Sequence, residues 1–91
     1  MEAERKMLDS LDDQIAQLFC QRMEVIDRIA RIKFEQRSSV YRPEREKQVT
    51  DRLLLQNGDK YEKELRALYG VIFEQSRDRQ EKLMKALEGK I

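Results

Sequence analysis

The chain has 91 residues, with Lys+Arg 19 against Asp+Glu 18, no histidine and one cysteine. That length allows one domain, and a net charge of +1 gives no argument for nucleic acid or an acidic membrane as partner. Without histidine, Ser-His-Asp and Cys-His catalysis and most zinc sites are excluded, so any chemistry must run on Arg, Lys, Glu, Ser and Gln.

Leu, Glu, Lys, Arg and Gln dominate, with one Pro and three Gly, which favours helix almost throughout. No apolar run approaches the roughly 18 residues of a membrane span. The start, Met1-Glu2-Ala3-Glu4-Arg5-Lys6, is charged and does not read as a signal peptide. Cys20 has no partner for a disulfide and reads as a packing or helix-surface residue. A cytoplasmic location is the expectation.

The first helix is expected over about residues 4–36. Leu8, Leu11, Ile15, Leu18, Arg22, Val25, Ile29 and Ile32 recur at steps of 3 and 4, the seam of a helix packed lengthwise on others. Asp9, Asp12 and Asp13 suit its positive end. At ~1.5 Å per residue this rod is ~48 Å long, against a diameter of roughly 30 Å for a compact chain of this size. A second chain is therefore expected to cover the seam, most simply in a two-fold homodimer.

Residues 37–42 form a connection. Pro43 opens the second helix, expected over about 43–56, with Glu44 and Glu46 in its first turn. Its inward face reads Glu46, Val49 and Leu53, and Asn57-Gly58-Asp59 stops it. The third helix is expected over about 60–87. Its stripe reads Leu65, Tyr69, Ile72, Ser76, Gln80, Leu83 and Leu87, and the tail Glu88-Gly89-Lys90-Ile91 is expected to fray.

Each apolar stripe is thus interrupted by polar groups. A guanidinium on a buried seam costs several kcal/mol unless an anion meets it. Lys33 lies eleven residues, almost three turns, beyond Arg22 and points the same way, its backbone ~16 Å further along. Taken singly, each residue has a plainer reading. Arg22 would pair with a protein carboxylate, Lys33 would face solvent, Glu46 would serve the helix end, and Ser76 and Gln80 would fix register. Together they read as a ligand site of the kind helical bundles build from inward polar side chains. The cationic excess suits a small dianion.

The ordered set Arg5, Leu11-Asp12, Gln14-Ile15, Gln21-Arg22, Ile32-Lys33, Val40-Tyr41-Arg42-Pro43-Glu44-Arg45-Glu46 and Ser76-x-x-x-Gln80 resembles the all-helical type of chorismate mutase. The likeness spans roughly residues 5–83. It implies an all-α fold with three helices per chain, one very long, in an intertwined helical-bundle homodimer. It implies no cofactor, with chorismate as substrate and prephenate as product. It also implies roles. Arg22 resembles the arginine gripping a substrate carboxylate, and Arg5 the one reaching across from the other subunit. Lys33 resembles the lysine on a carboxylate and the ether oxygen, and Gln80 the second donor to that oxygen. Glu46 resembles the acceptor from the ring hydroxyl, with Arg45 and Ser76 in support. Where many members carry Asp, this chain has Arg42, so no Asp contact is carried over. Tyr41–Glu46 is similar to the variant in domains fused to prephenate dehydratase, which implies fusion or association with another aromatic-pathway enzyme.

Three other readings remain open on the sequence. One is an isochorismate-pyruvate lyase with the same clamp. Another is a regulatory module docking to a shikimate-pathway enzyme. The last is a helical dimer whose inward polar residues only set register.

Overall fold

The computed structural model describes residues 1–90; Ile91, the end of the tail expected to fray, lies outside the described residues. These residues form three α-helices and no strand: α1 Glu2–Gln36, α2 Pro43–Asn57 and α3 Glu62–Glu88.

Nothing in residues 1–42 breaks a helix, since the chain has no Gly or Pro there. What stops α1 is a turn of backbone at Arg37, which adopts the left-handed conformation at φ 56. Ser38 N–H then donates to the Lys33 carbonyl at 2.8 Å and Arg37 N–H to the Phe34 carbonyl at 3.3 Å. These bonds satisfy carbonyls that a helix end leaves free. Pro43 starts α2 at its first turn, where the missing N–H is harmless. α2 ends at Gly58, whose φ of 77 is strained for a side chain. Gly58 N–H closes on the Leu54 carbonyl at 2.9 Å, and Asn57 Nδ2 donates to the Leu53 carbonyl at 2.8 Å.

α1 packs along α3 and α2 packs on α3. α1 and α3 run the same way, since Arg22 meets Ser76 and, further on, Asp27 meets Arg79. α2 runs back against α3: its first turn meets Arg77 through Glu46, and Thr50 and Asp51 lie near Arg66 and Gly70. The buried centre is small and half polar. Ile26 and Ala30 of α1 are 7% and 0% exposed, and Ser76 and Gln80 of α3 are 4% and 5% exposed.

The chain is a rod, 55 × 26 × 15 Å, with a radius of gyration of 16.2 Å. A compact chain of this length would have about 12 Å. Residues 1–21 of the chain are all exposed, with Leu8, Leu11, Ile15 and Leu18 half exposed or more. Phe19, Val25 and Ile32 extend this apolar row along the same helix. Monomers rarely leave so continuous an apolar surface in water.

Asp27 and Arg79 bind α1 to α3 through paired contacts, Nε to Oδ1 at 2.8 Å and Nη2 to Oδ2 at 3.0 Å. The hydrogen bond from Arg79, opposed by partial burial and helped by the charges of Arg79 and Arg31, holds the Asp27 carboxyl below its ordinary 3.8. A lowered carboxylate adds stability above its unfolded value and loses it as pH falls through the folded one. Asp27→Asn should therefore lower Tm at pH 7, by a modest amount because the pair is a third exposed. The gap to the parent should narrow as pH falls below the ordinary carboxylate range and the Asp27 carboxyl takes up its proton. Melting curves from pH 7 to 2 check this; a gap that persists unchanged at pH 2 rules out the ion pair as its source.

Candidate active site

A cleft of about 190 Å³ opens where the three helices meet. Arg22, Ile26 and Ile29 line it from α1, Arg45, Glu46 and Val49 from α2, and Phe73, Ser76, Arg77 and Gln80 from α3. Val40 and Arg42 close it from the connection. Four arginines and one carboxylate thus line a partly apolar cleft. Five of the residues expected at a site, Arg22, Arg45, Glu46, Ser76 and Gln80, come together here.

Arg22 is half-buried, and its Nη1 donates to Ser76 Oγ. Ser76 in turn donates to the Ile72 carbonyl at 2.7 Å, so its hydroxyl proton is used within α3 and its lone pair faces Arg22. The guanidinium also lies 5.9 Å from the centre of the Phe73 ring. Among the described residues no carboxylate forms an ion pair with Arg22. Within the single chain, the carboxylate partner of the plainer reading is not found among the described residues. Arg22 sits beside a neutral hydroxyl, an arrangement that favours an incoming anion.

Gln80 lies on the cleft floor. Its Nε2 donates to the Ser76 carbonyl at 3.1 Å, which leaves one amide hydrogen unspent. Its Oε1 is buried with no partner among the described residues. An unmet buried acceptor costs about 1–3 kcal/mol.

Lys33 sits at the end of α1, beside the cleft. Its Nζ donates to the Val40 carbonyl at 3.1 Å. Burial, and after it the nearby charge of Arg42, lowers its pKa from the ordinary 10.5, while Glu46 pulls it back up. Two ammonium hydrogens remain for another acceptor. Arg42 stands at the start of α2, where the resemblance offered no role, and lines the same cleft.

Arg5 is not at this cleft. It is exposed near the start of α1 and loosely paired with Glu2 at 3.8 Å. Seventeen residues of helix separate it from Arg22, ~25 Å along the axis.

Two contacts escaped the sequence reading. Arg77 Nη1 donates to both oxygens of Glu46, at 2.7 and 2.6 Å, and its guanidinium stacks 5.1 Å from the Tyr41 ring centre. That bond to Glu46, eased back by partial burial, holds Arg77 above the ordinary arginine range. Asp27–Arg79 is the other. Both pairs join neighbouring helices, and stripe-reading on one helix gives no sign of its partner's register. Among the described residues no three His, Cys, Asp or Glu side chains gather as a metal would require.

The fold and cleft define a class: a small all-helical domain with a cationic pocket set between helices and an uncovered apolar helix face. The family model of chorismate mutase type II matches residues 4–81. The chain belongs to that family. No curated protein and no solved structure gave a match.

Proposed function

We propose that the chain is a homodimeric chorismate mutase that rearranges chorismate to prephenate. The observation that carries this reading is Arg22, a half-buried cation paired with the Ser76 hydroxyl and with no carboxylate, facing a cleft that holds Gln80 and is flanked by Lys33. Membership of the type II family supports chorismate as substrate.

The reaction is a unimolecular [3,3] shift. One C–O bond breaks and one C–C bond forms within a single molecule, so no nucleophile or external proton is needed. The protein must hold the compact conformer, with the side-chain carbon over the ring. Arginine forks on both carboxylates do this, because a bidentate pair fixes orientation as well as charge. Arg22 takes one carboxylate, supported by Ser76. Arg5 of a second subunit takes the other, with the partner covering the row from Leu8 to Leu18. Glu46 accepts from the ring hydroxyl, and Arg45 supports that end.

As the C–O bond opens, negative charge grows on the ether oxygen. Lys33 and the free amide hydrogen of Gln80 donate there. Both bonds strengthen in the transition state, which is what accelerates the step.

The pH dependence follows from the two donors. Gln80 donates at every pH, whereas Lys33 donates only while protonated, and its pKa lies below 10.5. Turnover should be flat from about pH 5 to 7.5 and fall on the alkaline side as Lys33 loses its proton. A steep loss of kcat between pH 5 and 7.5 would count against Gln80 in this role. The direct test is chorismate disappearance with the purified chain, alongside isochorismate as second substrate. Prephenate from chorismate is the expected product. Salicylate and pyruvate from isochorismate, with no prephenate, would make it a lyase instead.

A further inference from the structure

Arg77 has no part in the reading above, yet it makes a close ion pair inside the cleft. Three separate segments build its surroundings. Glu46 comes from the first turn of α2, Tyr41 from the connection before it, and Arg77 from α3, one residue beyond Ser76. One nitrogen, Nη1, spans both carboxylate oxygens at 2.7 and 2.6 Å. The two side chains are 29% and 24% exposed, so the pair is partly screened from solvent.

A glutamate has three rotatable bonds, and fixing such a side chain costs rotamer entropy. The bridging Arg77 nitrogen removes that freedom before any ligand arrives. Each carboxylate oxygen offers two acceptor positions. A single bridging nitrogen takes one on each and leaves the others open. Tyr41 backs the guanidinium on its face, so Arg77 is itself held.

We infer that Arg77 is a positioning residue: backed by Tyr41, it holds the Glu46 carboxylate in one orientation, with its remaining lone pairs open to the cleft to accept a substrate hydroxyl. The inference rests on the chorismate mutase reading and adds a residue to it. The competing role is that Arg77 and Glu46 merely tie α3 to α2.

A double-mutant cycle separates the two. Arg77→Met keeps an unbranched apolar stem and removes the guanidinium that bridges the carboxylate. In the parent it should lower kcat/KM for chorismate about tenfold, mainly through KM, because the hydroxyl contact holds substrate and transition state alike. Arg77→Lys should recover part of the loss, since an ammonium keeps the charge on a shorter, non-planar head that Tyr41 backs less well. In a Glu46→Ala background, Arg77→Met should change kcat/KM by less than about twofold, as there is no carboxylate left to orient. Tyr41→Ala, at an exposed position, should act in the same direction more weakly and should also lose its effect in that background. It carries the test if Arg77→Met fails to fold. Equal losses in both backgrounds overturn the positioning role. So does a fall in Tm with unchanged kcat and KM, which is the signature of a tie between helices. A parent chain that turns over no chorismate overturns the mutase reading and this inference together. A parent that is active while the cycle is additive overturns this inference alone.

Discussion

Lys33→Ala should lower kcat for chorismate about 10²–10³-fold while leaving the helices folded. Removing one preorganised donor to a developing oxyanion costs about 3–4 kcal/mol of barrier in comparable sites. Lys33 suits that role on three counts. Its Nζ is anchored on the Val40 carbonyl, so the ammonium is already placed. Two of its hydrogens are uncommitted. Burial and the charge of Arg42 weaken its hold on its proton in the free protein, a stress that a bound dianion relieves. The ammonium is therefore poorly compensated until substrate arrives, and it interacts most strongly when charge appears on the ether oxygen. Truncation removes one bond to a loop carbonyl, so Tm should shift little. Chorismate disappearance measured beside a melting curve checks both halves. A loss in kcat under fivefold would place the transition-state charge on other groups.

The same residue shows which parts of the structure the sequence could carry. The three helices were legible because apolar residues recur at 3 and 4 along all three segments, and because Pro43 and Gly58 are strong punctuation. The end of α1 was harder to read, since an arginine, not a glycine, takes the left-handed turn at residue 37. The polar interruptions of the stripes, Arg22, Glu46, Ser76 and Gln80, were visible as exceptions to a period, and the fold gathers them at one cleft. Their partners were not visible. Whether Arg22 met a carboxylate or a hydroxyl depended on how far α3 slides along α1, which no single-helix pattern fixes. Arg77 and Arg79 lie beside the α3 stripe, off its period, and they find Glu46 and Asp27 on two different helices. Lys33 belongs to the legible class for its direction and to the illegible class for its anchor, since Val40 reaches it only after the chain turns at Arg37.

Subunit complementation should restore activity between two inactive variants. Arg5 lies ~25 Å along α1 from Arg22, on the exposed first part of the helix. No bend in α1 returns it, for the helix is continuous from Glu2 to Gln36. If it grips the second carboxylate, it does so in the site of a partner. Arg5→Ala and Lys33→Ala should then each be nearly inactive alone. Unfolded together in equal amounts and refolded, they pair at random, so about half of the dimers are mixed. Every mixed dimer holds one site with both substitutions and one with neither. Activity should return to about 25% of the parent's, from a starting level of about 1% or below. A site built within one chain gives a different result, since each chain then keeps its own defect and mixing restores nothing. The same experiment reads the apolar row of α1. Leu18 and Ile15, 62% and 59% exposed in the single chain, need a cover that the chain itself lacks. A partner laid along that row is what would carry its Arg5 to the cleft. Replacing Leu18 with Glu in both variants should keep the chains apart and abolish the recovery.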